Sequence, residues 1–293
     1  MLRRLRDLGW RAAEIGWATA MVSRPIRRGP RHALDRDLVV SLTSYPPRFP
    51  TLYLTLRALL SQSVSPDRLV LWIAHGDIAR LPPKVTALVP RGLEIRGCDD
   101  LRSFTKLVPA IAAFPDAYIV TADDDIYYPR HWLEDLVATA LPGTSDIVAH
   151  TVRRPKYVND CLAAIYDWNM NAVDPATQLP SDDLLAVGVA GVFYPPGSLH
   201  PDVSDSALFL QLCPTCDDSW FAWMARRQGT LVRRSDTRRW TRLIAWRGTN
   251  AGSLSADNFA VSEDWLKQDT IHRRLSDHFG PLDRLKHDET NDT

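Results

Sequence analysis

The chain of 293 residues is 45% hydrophobic and 24% charged, a composition typical of a globular protein with a substantial core. Lys and Arg number 35, as do Asp and Glu, so the net charge is zero and gives no indication of a nucleic-acid-binding protein. The 4 cysteines are too few to form a disulfide framework in a chain of this length. The CxxC motif at 213–216 has no second CxxC motif or nearby pair of histidines to complete a zinc site. We therefore expect free thiols in a reducing, cytoplasmic environment.

The first residues of the chain form a basic segment. Residues 1–31 carry eight arginines against Asp7 and Glu14, a net charge of +6. Leucines at helical spacing predict an amphipathic helix, and its uncharged stretch at 15–22 is too short to span a membrane. Two interpretations stay open: a helix that lies on an anionic membrane surface, and a helix that packs on the rest of the chain. Prolines and a glycine at 25–30 then predict a linker.

From residue 37 onward, strand-like and helix-like segments alternate. Short apolar runs predict strands at 38–42, 68–75, 92–96, 118–122 and 146–152. Leucine spacing and serine or proline start signals predict helices at 51–62, 82–89, 103–114 and 129–139. Alternation with short connections predicts an α/β fold, in which one large domain has a mostly parallel, Rossmann-like sheet flanked by helices.

Polar clusters follow three of the predicted strands, at the edge of a parallel sheet where ligands bind. They are Thr-Ser-Tyr at 43–45, Asp-Asp at 99–100 and Asp-Asp-Asp at 123–125. The sequence contains neither a GxGxxG motif nor a Walker-type loop, so a bound nucleotide would need its phosphates neutralised in another way. A divalent metal held by carboxylates would do this.

The segment YIVTADDDIYYP places three aspartates directly after an apolar run. Side chains two residues apart in an extended segment point to the same side, so Asp123 and Asp125 can face one cation while Asp124 turns toward the fold or a ribose. Carboxylate oxygens favour Mg²⁺ or Mn²⁺, with water and diphosphate oxygens in the remaining positions. The alternative is a charged turn that caps a helix at Pro129, a role for which Asp125 is poorly placed. The metal site is the favoured interpretation.

Four segments together resemble bacterial glycosyltransferases of the GT-A type, a family-2-like group associated with capsule and lipopolysaccharide synthesis. They are VVSLTSYPPRF, SFTKLVPAIAAFPDAYIVTADDDIYYPRHWLEDLV, GVAGVFYPPGSL and CDDSWFAWMA. The likeness covers residues 37–230, and its most specific element is the DxD segment after a strand. The residues after 246 fit the family poorly.

The resemblance implies roles for particular residues. Asp123 and Asp125 match the DxD motif that binds the nucleotide-sugar diphosphate through a divalent metal, Mn²⁺ or Mg²⁺. Thr43, Tyr45 and Arg48 match the loop after the first strand, which lies near the nucleotide. Lys106 matches a basic position beside the donor site. We also expect Asp100, in the cluster after the third strand, and Asp124 in the substrate site.

The second half of the chain contains candidate acceptor-site residues. The segment LLAVGVAGVFYPPG carries Gly188 and Gly191, at which backbone can approach a ligand closely, although a buried hairpin is an alternative. In the segment 216–229, Asp217 or Asp218 would serve as a helix N-cap, and a helix N-terminus would also hold a carboxylate rigid and ionised. By resemblance to the acidic pair that supplies the base in inverting GT-A enzymes, we expect Asp218 to be the base, with Asp217 as the second choice.

The resemblance implies a metal-dependent transferase that moves a sugar from a nucleotide sugar, expected to be a UDP-sugar, to a surface-glycan or lipid-linked acceptor with inversion. The expected division is 1–34 as a basic N-terminal segment, 35–155 as the nucleotide-sugar-binding half and 156–293 as the acceptor-binding half. Two other classes stay open: a metal-dependent phosphotransferase or nucleotidyltransferase, and a non-catalytic glycan-binding partner. We expect a cytoplasmic protein that binds no nucleic acid and is peripheral at the inner face of the cell membrane if residues 1–31 bind lipid.

Overall fold

The computed structural model describes residues 15–159, 161–235, 244–246, 261–262 and 265–282. In chain order the strands are β1 Leu38–Thr43, β2 Arg68–Ala74, β3 Leu93–Cys98, β4 Tyr118–Thr121, β5 Ile126–Tyr127, β6 Ile147–Ala149, β7 Val152–Arg153, β8 Tyr157–Val158, β9 Cys161–Leu162, β10 Leu185–Ala186, β11 Val192–Tyr194, β12 Val232–Arg234, β13 Ile244–Ala245, β14 Val261–Ser262 and β15 Trp265–Leu266. The helices are α1 at 15–23, α2 Phe49–Leu60, α3 Pro83–Thr86, α4 Val108–Ala113, α5 Trp132–Thr139, α6 Ser206–Leu212, α7 Asp217–Arg227 and α8 Lys267–Phe279.

The central sheet has seven strands in the order β12-β6-β11-β4-β1-β2-β3. β1 pairs in parallel with β2 and β4, β2 with β3, and β12 with β6, whereas β11 runs antiparallel between β4 and β6. Along β1, Val39 packs with the apolar cluster on one face and Val40 with the cluster on the other. The expected fold class, an α/β fold with a mostly parallel sheet flanked by helices, is confirmed. Strands from 35–155 and from 156–293 both enter this sheet.

Several observed helices are shorter than predicted, and a proline explains one of the differences. The helix predicted at 82–89 is confined to α3, and the one predicted at 103–114 is a 3-10 turn followed by α4. Pro109 lacks the N–H that the interior of a longer helix would require. It therefore lies in the first turn of α4, and the helix does not extend back to residue 103. Helix α5 begins at Trp132 rather than at Pro129, whose carbonyl accepts a bond from the Trp132 N–H at 3.0 Å.

The described part of the N-terminal segment packs on the domain. In α1, Ala18 and Val22 are buried, and Trp17 contacts Tyr127 edge-on with 5.5 Å between ring centroids. These contacts match the packing interpretation for α1. The membrane-binding hypothesis also involves residues 1–14, which lie outside the described residues, and it stays a prediction. No helix in the described part of the chain is long and apolar enough to cross a bilayer.

The predicted linker is tied to the loop that follows α2. The Gly29 N–H donates to the Gln62 carbonyl at 3.0 Å, and the Ser65 N–H donates to the Pro30 carbonyl at 2.8 Å. A Cβ on Gly29 would lie 1.8 Å from the Ser63 carbonyl oxygen, so only glycine fits this approach. The segment is therefore an integral part of the fold.

Asp67 joins this segment to the start of β1. Its carboxylate accepts hydrogen bonds from Arg31 Nε at 2.6 Å, His32 Nε2 at 2.7 Å and the Leu38 N–H at 2.8 Å. Partial burial acts in the opposite direction, but the bonds from Arg31, Leu38 and His32 lower the pKa of Asp67 to about 2. The ionised carboxylate therefore anchors the start of β1, an inner strand of the sheet.

We predict a pH-dependent contribution of Asp67 to stability. A carboxylate with a lower pKa in the folded state stabilises the fold above its unfolded pKa of about 4, and this contribution disappears as the pH falls toward the folded pKa. Asp67→Asn should therefore lower the urea midpoint near neutral pH. The difference from the wild type should shrink between about pH 5 and pH 2.

The matched control is Asp116→Asn, because the Asp116 side chain is 94% exposed. This variant should unfold at the wild-type midpoint throughout the pH range. A constant difference between wild type and Asp67→Asn from neutral pH to pH 2 would contradict the assigned role of the carboxylate.

Candidate active site

The predicted acidic triplet lies at the carboxyl edge of the parallel strands. Residues 123–125 fill the turn between β4 and β5, and His131, not an aspartate, occupies the N-cap position of α5. The helix-cap interpretation of the triplet is therefore wrong. Lys106 ends the 3-10 turn before α4, and its carbonyl accepts a hydrogen bond from Ser41 Oγ of β1 at 2.6 Å. The turn, β1 and β4 thus form one side of the site.

Lys106 connects this edge to the start of α7. Its Nζ lies 3.0 Å from Asp123 Oδ1 and 2.9 Å from Asp217 Oδ2. Burial by itself lowers the pKa of Lys106, but Asp123, Asp217 and Asp218 raise that pKa well above its ordinary value. Lys106 is therefore an ammonium ion at neutral pH and offsets the charge of carboxylates on two separate elements.

Asp124 points into the fold. Ser44 Oγ donates to Asp124 Oδ2 at 2.5 Å, and Thr55 Oγ1 of α2 donates to the Asp124 carbonyl at 2.9 Å. Burial raises the pKa of Asp124 to about 7, although the Ser44 hydroxyl acts in the opposite direction. The side chain is thus held by the loop after β1. The substrate-binding role expected for Asp124 stays a prediction.

Arg48 offsets the charge of Asp125. It lies in the turn after β1, and its Nη1 bonds Asp125 Oδ2 and lies 3.7 Å from Asp124 Oδ1. Burial and the charge of Asp123 raise the pKa of Asp125, while Arg48 lowers it. Because the net pKa is raised, the single arginine does not fully offset the desolvation and repulsion at Asp125.

A divalent cation fits the chemistry of Asp123 and Asp125. Lys106 bonds one oxygen of Asp123, and Arg48 bonds one oxygen of Asp125. The second oxygen of each carboxylate is bonded by neither of these two cations. The charge of Asp123 repels that of Asp125 and raises the pKa of Asp125. A cation bound to both carboxylates would offset this repulsion. Within the described ranges, no three His, Cys, Asp or Glu side chains group into a protein-only metal site. The donor set therefore fits a metal that completes its coordination with water or phosphate oxygens.

Asp217 and Asp218 are the first two residues of α7, and Cys216 precedes them at the N-cap position without a side-chain cap bond. The predicted N-cap role is therefore wrong, because both aspartates lie inside the helix. Asp218 Oδ1 accepts a hydrogen bond from the Gly188 N–H at 2.9 Å. Burial and the charge of Asp217 raise the pKa of Asp218, while Lys106 acts in the opposite direction. Asp218 is a carboxylate of raised proton affinity, oriented by a backbone donor.

The two glycines of the predicted acceptor segment differ in what they contact. A Cβ on Gly188 would lie 2.8 Å from Asp218 Oδ1 and 2.9 Å from Lys106 Nζ, so a side chain at this position would displace one of these charged groups. Gly191 has φ +103°, and a Cβ there would lie 2.6 Å from the Trp132 indole. The missing side chain at Gly191 accommodates that indole. The substrate-binding role expected for Gly191 stays a prediction.

The remaining predicted residues lie at or after the ends of β1 and β3. Tyr45 is 45% exposed, and the Arg48 guanidinium lies 6.0 Å from its ring centroid. Thr43 Oγ1 donates to the Trp72 carbonyl at 3.0 Å. Asp100 is exposed after β3 and accepts a backbone N–H bond from two residues further on at 2.9 Å. Within the described residues, no hydrogen bond or ion pair links Asp100 to the acidic triplet.

Two contributors to the site are not among the residues that the sequence predicts. The Ser44 hydroxyl bonds Asp124, and its place in the polar cluster after β1 is a signal that could have identified it. Trp132 packs against Gly191 and donates from Nε1 to the Ala190 carbonyl at 2.6 Å. Nothing in the sequence distinguishes Trp132 from the other tryptophans.

The sequence matches no known family model and no curated protein. The structure is distantly similar to a 4-diphosphocytidyl-2C-methyl-D-erythritol synthase, with 12% identity and a TM-score of 0.39 over 71% of this chain and 93% of that one. For the inositol-1-phosphate CTP transferase from T. maritima, the identity is 10% and the TM-score is 0.38, over 70% of this chain and 86% of that one. The structure is also similar to the glucosyl-3-phosphoglycerate synthase from Mycobacterium tuberculosis in complex with Mn²⁺, uridine diphosphate and glucosyl-3-phosphoglycerate. There the identity is 12% and the TM-score is 0.37, over 75% of this chain and 72% of that one. Similarity at this level does not extend to activity or substrate.

We predict that Lys106→Met destabilises the protein. Removing one partner of a buried ion pair leaves an uncompensated charge and costs about 3–5 kcal/mol. We expect the lower end of this range, because the side chain of Asp123 is 26% exposed whereas those of Lys106 and Asp217 are 9% and 10% exposed. The free energy of unfolding in urea measures the effect.

The control is Lys84→Met, which removes an exposed ammonium that bonds the Pro50 carbonyl at 2.8 Å and lies 5.8 Å from the Tyr53 ring centroid. It should change the unfolding free energy by less than about 0.5 kcal/mol, as surface substitutions do. Equal stabilities of the two variants would contradict the bridging role of Lys106.

Proposed function

We propose that the protein is a metal-dependent glycosyltransferase that moves a sugar from a nucleotide sugar, a UDP-sugar, to a surface-glycan or lipid-linked acceptor. The observation that carries the proposal is the ion-paired link, through Lys106, between the acidic triplet after β4 and the start of α7. The triplet has the chemistry to hold a diphosphate through a cation, and Asp218 has the chemistry of a base. Both lie at the edge of a parallel sheet where ligands bind.

The donor diphosphate is the ligand that the triplet and its cations suit best. When bound at Asp123 and Asp125, a divalent metal would neutralise the negative charge of the diphosphate and of the leaving nucleotide. Arg48 and Lys106 are positioned to exchange part of their carboxylate contacts for phosphate oxygens, since both are cations at neutral pH beside the triplet. The exposed ring of Tyr45, close to Arg48, is a candidate surface for the nucleoside.

The choice of Asp218 over Asp217 as base rests on their different partners. Asp217 pairs with Lys106 at 2.9 Å, whereas Asp218 makes no ion pair within the described residues and accepts only the Gly188 N–H. Its pKa is raised by burial and by Asp217, which favours acceptance of a proton. In the reaction, the acceptor hydroxyl gives its proton to Asp218 and its oxygen bonds the anomeric carbon. The carbon–oxygen bond to the diphosphate breaks on the opposite face, and the nucleoside diphosphate leaves with the electron pair.

The metal hypothesis predicts that Asp125→Ala abolishes Mn²⁺-dependent binding of UDP while the fold stays intact. Removing Asp125 relieves its repulsion with Asp123 but also takes away the ion-pair partner of Arg48, so some loss of stability is expected. Urea unfolding should show that the variant is still folded under the conditions of the titration. Isothermal titration calorimetry with UDP, with and without Mn²⁺, measures the binding. The control is Asp116→Ala, which removes an exposed carboxylate outside the acidic triplet. It should bind UDP as the wild type does. Donor turnover that survives both Asp125→Ala and EDTA would show that the metal hypothesis is wrong.

The base hypothesis predicts that Asp218→Asn lowers kcat by about 10²–10⁴-fold, the usual contribution of a general base. Asparagine keeps the shape and the acceptor oxygen for the Gly188 N–H but does not take up the hydroxyl proton. The affinity for UDP with Mn²⁺ should change little. Asp217→Asn is the comparison variant and should act mainly on donor binding, because Asp217 pairs with Lys106.

Product analysis separates this reaction from its alternatives. The anomeric configuration of the product, read by NMR, should be inverted relative to the donor. A retained configuration, or near-normal turnover by Asp218→Asn, would contradict the base assignment. Release of pyrophosphate in place of a nucleoside diphosphate would identify a nucleotidyltransferase.

A further inference from the structure

A tight turn of the backbone orients the carboxylate of Asp218. It comprises residues 188–191, here called the glycine turn, and it is closed by a hydrogen bond from the Gly191 N–H to the Gly188 carbonyl at 2.9 Å. The Gly188 N–H points out of the turn and donates to Asp218 Oδ1 at 2.9 Å. Side chains that hold the glycine turn in place therefore also hold Asp218.

Two aromatic side chains that follow the acidic triplet hold the glycine turn from the other side. Trp132 of α5 donates from Nε1 to the Ala190 carbonyl at 2.6 Å, and the Tyr128 hydroxyl donates to the Val189 carbonyl at 3.3 Å. The two rings contact each other, with 4.5 Å between their centroids. Consecutive carbonyls of the turn are thus bonded by neighbouring aromatic residues.

The Tyr128 hydroxyl also bonds the acidic triplet itself. It accepts a hydrogen bond from the Asp123 N–H at 2.7 Å, and a phenol can accept one bond while it donates another. Tyr128 is 1% exposed, so bulk water does not compete for these two bonds. One hydroxyl therefore joins the backbone of Asp123 to the backbone of the glycine turn.

This link is separate from the ion pairs of Lys106. The ammonium joins Asp123 to Asp217 by charge, whereas Tyr128 joins Asp123, through the glycine turn, to Asp218. A transfer reaction requires the reacting atoms of donor and acceptor to be held about 3–3.5 Å apart, and small misplacements are costly. The separation of a metal-binding carboxylate from the base is therefore a distance that the fold has to control.

We infer that Tyr128 is a positioning residue whose hydroxyl sets the separation between Asp123, on the metal side of the site, and Asp218, the base. The role in transfer rests on the proposed function. The coupling between Asp123 and the glycine turn does not, because it depends only on the hydrogen bonds of the Tyr128 hydroxyl.

The test compares Tyr128→Phe, which keeps the ring and removes the hydroxyl, with Tyr118→Phe. Tyr118 is the matched control because it is also buried, at 4% exposure, and its hydroxyl bonds Asp35 Oδ1 at 2.8 Å at the start of β4. Amide hydrogen exchange of the full chain, followed by NMR, measures the coupling without any substrate. In Tyr128→Phe the amides of Asp123 and Gly188 should exchange about 2–10-fold faster, the effect of losing one ordinary hydrogen bond, and in Tyr118→Phe they should not change.

Kinetics then test the role in transfer. Tyr128→Phe should lower kcat about 10–100-fold, the effect of a small misplacement of reacting groups, while the affinity for UDP with Mn²⁺ changes little. Tyr118→Phe should leave kcat unchanged. If Tyr128 acts through Asp218, combining Tyr128→Phe with Asp218→Asn should lower kcat little further than Asp218→Asn alone does.

Three outcomes would overturn the inference. They are unchanged exchange at Asp123 and Gly188 in Tyr128→Phe, equal losses of kcat in the two phenylalanine variants, and multiplicative losses when Tyr128→Phe is combined with Asp218→Asn. Faster exchange in Tyr128→Phe, in a protein that neither binds UDP with Mn²⁺ nor transfers sugar, would refute the proposed function and leave the coupling standing. Faster exchange with a wild-type kcat would refute the positioning role and leave the proposed function standing.

Discussion

The ammonium group of Lys106 joins two parts of the chain that the sheet alone does not bring into contact. Asp123 follows β4 in the parallel half of the sheet, Asp217 begins α7, and Lys106 Nζ lies within 3.0 Å of both. Taking three such charges out of water is costly and is offset only if they stay together with good geometry. The site is therefore held by charge balance, and any ligand that enters must preserve that balance.

This balance makes neighbouring carboxylates chemically different. Asp217 is neutralised by Lys106, whereas Asp218 meets a backbone N–H from a glycine that no other residue could replace without displacing it. Similarly, Asp124 is buried against Ser44, while Asp125 meets Arg48. Two acidic motifs that look uniform in sequence thus contain aspartates in different surroundings, which differ in burial and in partner.

Five strands of the central sheet, β1 to β4 and β6, and the position of the acidic triplet follow from the sequence, because apolar runs and the polar residues that end them are local signals. The short strands β11 and β12 of the same sheet are not predicted. Helix starts are less well predicted: Pro129 looks like a first-turn proline but precedes α5, and Pro109 divides a predicted helix. Contacts between distant residues, such as Lys106 with Asp217, have no local signal.

The most direct test of the central claim is a crystal structure of the protein with UDP and Mn²⁺, with anomalous scattering to locate the metal. The account predicts Mn²⁺ bound to Asp123 and Asp125, with diphosphate oxygens completing its coordination and contacting Lys106 or Arg48. Nucleotide bound away from the triplet would contradict it. So would a bound diphosphate with no metal and both carboxylates still paired as they are here.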